Sequence, residues 1–341
     1  MDYKIKKISE VNIDLLNNFY RAAFPLRYKN LIKNWKWYYR IGYNNHEPLV
    51  LEYKSKIVSM AGLIPAKLNF QKKLIDAIWF TDFLTLKEFR KKGFGSILTK
   101  EWMKICPTQI TFCNDESLKL FKKFKWLCNN DTYRSIKLVK FNKLIPIIKN
   151  LNIDIKSNFF KSFLKKNKIN EKLIKPTNIT NDTLLKLCRI EENKSKDSKF
   201  LSIIRDEKWF KWRLVECPYN SDVYQFIDDL DIIVCHIFKF KNLKRINILY
   251  SYIHDKKKTN VFNLIFNWSS NNDIDFIWCL NNNNNNHKLF KETLVNNFFF
   301  KKKINFAGWS EDETIRSCLG KGLSNSQGLD SDIDSILFQN Q

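Results

Sequence analysis

Glycine, proline, methionine and histidine are scarce in this chain, which holds only 8 Gly, 7 Pro, 3 Met and 4 His in 341 residues. A metal site or a catalytic triad needs histidines at short spacing or beside other ligands. The four histidines are far apart: His46, His236, His254 and His287. We therefore expect structural or surface roles for them and no bound metal.

The chain also lacks paired cysteines and long apolar runs. None of its 8 cysteines has Cys-x-x-Cys spacing, and apolar neighbours surround most of them, which is typical of reduced core residues. No 18 apolar residues run together, and the start at Met1 to Lys4 has no apolar signal segment. These absences predict a cytoplasmic protein.

Acidic residues are few relative to basic ones, and 59 Lys and Arg against 35 Asp and Glu give a net charge of +24. Such a charge suits a nucleic acid, an anionic membrane or an anionic small substrate. An AT-biased genome also produces a chain rich in Lys, Asn, Ile and Phe, so charge alone does not decide among these. No recognised nucleic-acid motif is present, and we do not expect a nucleic-acid partner.

The length and the aromatic content predict two domains. A chain of 341 residues exceeds one typical core, and 28 Phe, 12 Tyr and 10 Trp provide ample apolar surface. The Lys- and Asn-rich segment 141–175 is predicted to link a domain at 1–140 to a domain at 176–341. Within it, Phe159 to Lys166 is basic and amphipathic, which fits either a packed surface helix or peripheral membrane contact.

The most specific pattern in the chain is Arg90-Lys91-Lys92-Gly93-Phe94-Gly95. A β-prone stretch, Ile78 to Leu84, precedes it, and Ser96 to Met103 follows with helical spacing. A glycine-bearing turn that opens a helix offers backbone N–H groups and positive charge to a phosphate. Arg-x-x-Gly-x-Gly would arise by chance about 0.005 times in a chain of this composition.

This loop resembles the signature of the GNAT superfamily of acyl-CoA-dependent N-acyltransferases, Arg/Gln-x-x-Gly-x-Gly/Ala between the fourth strand and the third helix. The resemblance implies an α/β (α+β) fold in which helices flank a mixed, mostly antiparallel sheet. It implies that backbone amides from Lys91 to Ser96 hold the pyrophosphate of acetyl-CoA or another acyl-CoA. A backbone N–H between Phe83 and Thr85 would polarise the thioester carbonyl. The implied cofactor-binding residues are Phe83, Leu84, Thr85, Arg90, Lys91, Lys92, Gly93, Phe94, Gly95, Ser96, Asn114 and Ser117.

Asn114 and Ser117 follow a predicted short strand, Gln109 to Cys113. In the family an Asn that precedes a helix lies beside the pantetheine arm, and Asn114 fits either that role or a plain helix cap. Many members carry a tyrosine in this helix as general acid for the departing thiolate. Phe121 or Phe124 stands there in this chain, which leaves an altered or lost activity open.

Asp82 is the first candidate for a base or an amine-positioning carboxylate, because an isolated acid in an apolar strand is costly unless it is used or paired. A salt bridge, with Arg40 as a candidate partner, is the structural alternative. Asn114 and Tyr133 complete the predicted catalytic set, and Glu52, Asp115 and Glu116 are weaker candidates.

The predicted element order also fits the resemblance. Helices are expected from Val11 to Phe24 and after Asn34, and strands are expected over Leu49–Tyr53, Ile57–Ile64 and Leu74–Leu86.

The second half of the chain repeats this pattern. Trp209-Phe210-Lys211-Trp212-Arg213 echoes Trp35 to Arg40, and Ile274 to Asn281 echoes the strand at Ile110. The segment Asp255 to Asn260 is basic at the position of the glycine loop but contains no glycine. We therefore predict tandem GNAT-like domains, the second one degenerate, which resembles bacterial proteins associated with surface-polysaccharide biosynthesis.

Two functions follow from these patterns. The first is an N-acyltransferase that acetylates a small amine such as an amino sugar or a sugar nucleotide. The second is a catalytically inactive GNAT-like binding or scaffold protein.

Overall fold

The computed structural model describes residues 2–140, 175–196, 201–240, 242–254, 260–282 and 300–324, together with 326 and 330. Four predicted features lie outside the described residues, in whole or in large part. They are 141–174 of the linker, its patch at 159–166, 255–259 of the basic segment, and 283–286 of the asparagine run Asn281 to Asn286, which the sequence predicts as a polar loop or as drift in low-complexity sequence.

Eight α-helices are described. Four belong to the first part of the chain, α1 (Ile13–Ala23), α2 (Tyr28–Tyr38), α3 (Phe94–Met103) and α4 (Asp115–Lys123). Four belong to the second part, α5 (Asn181–Lys196), α6 (Glu207–Phe210), α7 (Asn260–Asn271) and α8 (Glu313–Leu319). A π-helix, Lys211–Val215, continues α6 directly.

Thirteen described strands form one sheet. The first part supplies β1 (Tyr3–Lys7), β2 (Leu49–Tyr53), β3 (Lys56–Phe70), β4 (Lys73–Thr85), β5 (Thr108–Cys113) and β6 (Leu127–Leu138). The second part supplies β7 (Thr177–Asn178), β8 (Ser202–Ile203), β9 (Val223–Asp228), β10 (Asp231–Phe240), β11 (Leu243–Tyr252), β12 (Phe276–Asn282) and β13 (Phe300–Ser310). The sheet order is β1-β2-β3-β4-β5-β13-β6-β12-β11-β10-β9-β7, and β8 pairs with β3.

Most predicted elements of the first part are confirmed, but the start of α2 is not where it was expected. Asn34 was predicted to cap this helix, whereas α2 begins at Tyr28 and buries Asn34 inside it. Leu31, Trp35 and Tyr38 lie at spacings of four and three residues, so one apolar stripe holds the earlier turn against the core.

The two parts of the chain share the middle of the sheet. Strand β13 lies between β5 and β6, and β6 lies between β13 and β12. The last described strand of each part therefore pairs with the strands of the other part. The sheet is continuous between the two parts of the chain. The predicted domain division at 141–175 stays a prediction.

Corresponding elements recur in the two parts. Strands β4 and β5 run parallel with α3 between them in the chain, and β11 and β12 run parallel with α7 between them. The indole nitrogen of Trp37 donates to the backbone oxygen of Trp212 at 2.8 Å, and that of Trp212 donates to the backbone oxygen of Trp37 at 2.7 Å. Such an exchange of like contacts is typical of a twofold-related pair.

Apolar cores cover both faces of the sheet. Around β3 and β4, Tyr20 and Tyr38 are buried on the face of α1 and α2, and Leu98 and Trp102 of α3 are buried on the other. Among the described residues, no helix is both long enough and apolar enough to cross a membrane.

Candidate functional site

The glycine loop lies between β4 and α3, as the sequence predicts. Gly93 precedes the first helical residue with φ of 83°, and Lys91 has φ of 63°. Left-handed angles are disfavoured for residues with a Cβ, so the glycine at 93 lets the chain turn into the helix. The first-turn amides of α3 have no partners within the helix and carry the positive end of its dipole, as an anion site requires.

Gly95 allows the loop to lie close against the end of β4. A Cβ at this position would be 3.3 Å from Thr85 Oγ1 and 3.5 Å from Phe83 Cζ. Arg90 is tied to the same strand, since its Nε donates to the backbone oxygen of Thr85 at 3.2 Å. The predicted phosphate and carbonyl segments are therefore in contact.

Strand β4 contains a β-bulge at Asp82 and Phe83, before the glycine loop. Thr81 pairs with Gly62 and Leu84 pairs with Met60, so Asp82 and Phe83 lie opposite Ala61 alone. A bulge interrupts the hydrogen-bond ladder and turns backbone groups away from it. The interruption falls at Phe83, where the resemblance places a carbonyl-polarising amide.

Strands β4 and β5 separate beyond their first parallel pairs. The ladder joins Ile78 to Gln109 and Trp79 to Ile110, and no further pairs follow although both strands continue. The hydroxyl of Thr111 donates to the backbone oxygen of Phe80 at 2.7 Å and marks the last link. Past this point β4 and β5 are no longer paired, on the side of β4 that leads to the glycine loop.

Asn114 and Ser117 lie at the end of β5 and form a helix cap. Asn114 Oδ1 accepts the backbone N–H of Ser117 at 2.8 Å, at the N-terminus of α4. This geometry is the structural alternative considered above. A contact with the pantetheine arm stays a prediction, and Asn114 is exposed.

Phe94 and Leu84 are turned toward the protein interior. Phe94 is 1% exposed and packs on Tyr53 with ring centroids 5.2 Å apart. Leu84 packs against the core of α1 and α2. Any contribution of these two residues to cofactor binding therefore comes from the backbone.

Asp82 forms a buried ion pair with Arg27, and the proposed pairing with Arg40 is wrong. Asp82 Oδ1 accepts from Arg27 Nη2, and the two side chains are 1% and 9% exposed. Asp82 Oδ2 accepts from the hydroxyl of Tyr39 at 2.8 Å. Arg40 instead donates to the backbone oxygen of Pro65 and lies over the ring of Tyr43. The turn between α1 and α2 brings Arg27 to the strand, whereas Arg40 follows the far end of α2.

The other candidates lie apart from this cluster. Tyr133 pairs with Lys303 on β13 and with Asn281 on β12. Three strand spacings separate its strand from β4, or roughly 14 Å. Glu52 binds Lys6, and Asp115 accepts from Asn305. Tyr133 therefore lies on a strand well separated from that of Asp82.

No acidic hydroxyl or thiol replaces the missing tyrosine in α4. Phe121 is 1% exposed and packs on Trp126, with ring centroids 4.6 Å apart. Cys113 ends β5, but burial, with smaller effects of Cys128 and Asp115, raises the pKa of its thiol to about 12. Cys113 is thus a poor proton donor to a thiolate at neutral pH.

Three residues that the sequence analysis missed surround the bulge: Arg27, Tyr39 and Gly62. A Cβ on Gly62 would lie 2.8 Å from both Tyr39 Cε1 and the backbone oxygen of Thr81. A glycine inside a predicted strand signals a bulge or a close approach, and that signal could have drawn attention to Gly62.

The second part of the chain repeats the bulge. Cys235 pairs with Ile248 and Val234 pairs with Tyr250, which leaves Leu249 as an extra residue on β11. Within the described ranges, no group of His, Cys, Asp and Glu is arranged to hold a metal ion.

The sheet with its bulged fourth strand, its diverging β4 and β5 and its glycine turn into α3 defines a GNAT-like α+β fold. Residues 4–111 match the family model described as an acetyltransferase (GNAT) domain. This match lies in the N-terminal part of the chain and agrees with the fold described there. A search of curated proteins found no match.

Solved structures of similar fold extend over most of the chain. A GCN5-related N-acetyltransferase from Kribbella flavida has a TM-score of 0.60 and 8% identity, covering 90% of this chain and 71% of its own. Saccharomyces cerevisiae N-myristoyltransferase with bound myristoyl-CoA has a TM-score of 0.59 and 12% identity, covering 90% and 82%. A GCN5-related N-acetyltransferase from Anabaena variabilis has a TM-score of 0.56 and 11% identity, covering 89% and 72%. At these identities the likeness shows the fold, and it confirms the predicted fold class.

Proposed function

We propose that this protein transfers an acyl group, in the first instance acetyl, from an acyl-CoA thioester to the amine of a small acceptor. The observation that carries the proposal is the placement of Gly93, at positive φ and at the start of α3, next to the bulge and the diverging strands. The matched GNAT domain and the N-acyltransferase neighbours support the same reading.

The residues of the loop fit a pyrophosphate. Amides from Lys91 to Ser96 would donate to its oxygens, and Arg90, Lys91 and Lys92 would add positive charge. Gly95 provides the close approach, because a Cβ there would meet Thr85 and Phe83. The loop requires no metal for this task.

In the proposed reaction the nitrogen of the neutral amine bonds to the carbonyl carbon, the C–S bond breaks, and the thiolate leaves. The proton that the amine loses passes to water. A backbone N–H between Phe83 and Thr85 would stabilise negative charge on the carbonyl oxygen. Since Phe121 has no hydroxyl, the thiolate would leave without a proton from α4. Asn114 and Tyr133 remain proposed contributors at the open end of the strands.

The acceptor we propose is an amino sugar or an anionic sugar nucleotide, bound in the cytoplasm. The net charge of +24 supports an anionic acceptor. A role in surface-polysaccharide synthesis rests on the resemblance of the tandem pattern. The repeated bulge and the reciprocal Trp37 and Trp212 bonds support the tandem arrangement.

Calorimetric titration with acetyl-CoA and CoA tests the donor site. Gly93→Glu should abolish binding of both ligands, because a side chain strains the left-handed turn and its carboxylate repels phosphate. Gly42→Glu is the matched control, since Gly42 also has positive φ, at 87°, and open space around its Cβ position. The control should bind as the wild type does. Equal binding by Gly93→Glu would refute the site.

A second candidate is a non-catalytic binding module, and the buried Phe121 in place of the expected tyrosine favours it. It predicts acetyl-CoA binding without turnover on a panel of amino sugars, their nucleotides and simple amines. Turnover on any amine that disappears in Gly93→Glu would exclude it.

A further inference from the structure

The bulge of β4 holds an aspartate in an unfavourable backbone conformation. Asp82 has φ of 49°, in the left-handed region that residues with a Cβ rarely adopt, although Asp tolerates it better than most. A strained residue of this kind persists only when its surroundings hold it in place. The contacts of Asp82 therefore determine the shape of the bulge.

Both oxygens of the Asp82 carboxylate are engaged. Arg27, from the turn between α1 and α2, binds one oxygen, and the hydroxyl of Tyr39, at the end of α2, binds the other at 2.8 Å. The guanidinium of Arg27 also lies over the ring of Phe24, 4.4 Å from its centroid. Two ends of one helix thus hold a single carboxylate.

The opposite side of the bulge is held by packing. Tyr39 is fully buried, and its ring leaves no room for a Cβ on Gly62, which pairs with Thr81. The hydroxyls of Tyr38 and Thr81 lie 3.4 Å apart. Strand β4 is therefore fixed on both sides of the point where its ladder is interrupted.

A general base needs a lone pair that the substrate can reach. The Asp82 side chain is only 1% exposed, and its partners occupy one oxygen each. Such a carboxylate is better placed to hold the backbone than to accept a proton from an amine.

We propose that Arg27, Asp82 and Tyr39 form a clamp that positions the backbone amides of Phe83 to Thr85 for the acyl carbonyl. Asp82 is then a positioning residue and not the base. This inference rests on the proposed function, because the carbonyl is that of the bound acyl-CoA.

The two partners of Asp82 keep their protons over the working pH range. Burial, followed by the negative charge of Asp82, raises the pKa of Tyr39 well above its ordinary value, so its hydroxyl remains a donor. Burial by itself would lower the pKa of the Arg27 guanidinium. The effects of Asp82, and then of Tyr38 and Tyr39, outweigh burial and raise that pKa above its ordinary value. Neither partner of Asp82 is lost by titration near neutral pH.

The affinity ratio of acetyl-CoA to CoA tests the clamp without an acceptor. Tyr39→Phe removes one donor to Asp82 and keeps the ring. CoA lacks the acyl carbonyl, so its affinity should be unchanged, whereas that of acetyl-CoA should fall about two- to tenfold, the equivalent of one hydrogen bond. Hydrogen exchange of segments 58–64 and 80–86 should become faster.

The matched control is Tyr219→Phe, which also removes one tyrosine hydroxyl, here one that donates to Asn30 Oδ1 at 3.0 Å. It should leave the ratio and the exchange of both segments unchanged. An unchanged ratio in Tyr39→Phe, or an equal loss of both ligands, would overturn the positioning role. Failure of the wild type to bind either ligand would overturn the proposed function and the clamp's role together.

Asp82→Asn separates positioning from base catalysis on any amine that is turned over. Positioning predicts a lower kcat with an unchanged acidic limb of the pH profile of kcat/KM. Loss or displacement of that limb would identify Asp82 as the base and refute the inference. If Asp82→Asn does not fold, the ratio measured with Tyr39→Phe still decides.

Discussion

At the scale of single residues, the sequence showed which side chains were unusual but not which partners they meet. An acid in an apolar strand and two close glycines marked Asp82, Gly93 and Gly95. Arg27, which lies 55 positions from Asp82, carries no local sign of the pairing. Only the packing of α1 and α2 on β4 shows that Asp82 pairs with Arg27 and not with Arg40.

Gly62→Ala tests how tightly the bulge is packed. The new methyl group would lie 2.8 Å from a backbone oxygen and from the ring of Tyr39, so we expect a loss of about 1–3 kcal/mol in the free energy of unfolding. Urea denaturation measures it. Gly320→Ala is the comparison, because a Cβ there would lie 3.2 Å from the flexible end of Leu127 and 3.3 Å from the backbone oxygen of Ser317, and it should change stability less. Equal effects would argue against a packed bulge.

At the scale of elements, the pattern of apolar residues predicted helix α1 and strands β2 to β5 well, because α1 has one buried stripe and each strand contains a run of consecutive buried residues. It misplaced the start of α2, since no capping side chain marks Arg27. Strand β6 was not predicted. The pairing of β6 with β12 and β13 joins segments far apart in the chain, and a local pattern does not contain such information.

Helix α5 is joined to its surroundings by a buried ionic network. Arg205 binds Asp330 through two nitrogens, at 3.1 and 2.5 Å, and binds Glu191 of α5 at 2.8 Å. The hydroxyl of Tyr250 also donates to Glu191 at 2.8 Å. Burial by itself would raise the pKa of Glu191, but the positive charges of Lys194 and Arg205 lower it to about 2.

This network predicts acid sensitivity. The pKa of Glu191 is lower in the folded chain than in the unfolded chain. The contribution of Glu191 to the free energy of unfolding is therefore complete when the pH is above the ordinary pKa of 4.5, and it is lost as the pH falls to about 2. A decrease of about 3 kcal/mol across that window follows. Urea denaturation at pH 6 to 2 measures it, and Glu191→Gln should have a shallower pH dependence. An equal slope in the variant would contradict the assignment.

At the scale of the whole molecule, the two parts are joined by an exchange of strands. β13 forms six pairs with β5 and eight with β6, and β6 forms seven with β12. The proposed donor site lies where β4 and β5 diverge, so the second part of the chain completes the sheet beside it. This arrangement gives the second part of the chain a structural task.

A chain ending at residue 140 should therefore not fold, although it contains every predicted donor-site residue. Without β13, both β5 and β6 would have unpaired edges in the middle of the sheet, which favours aggregation. We expect no cooperative unfolding and no acetyl-CoA binding by this fragment.

The control is the full chain carrying a protease site between 141 and 174 and cut after folding. Both pieces remain present, and the cut protein should keep its cooperative transition and its CoA binding. A fragment of residues 1–140 that folds and binds acetyl-CoA by itself would show that the exchanged strand is dispensable.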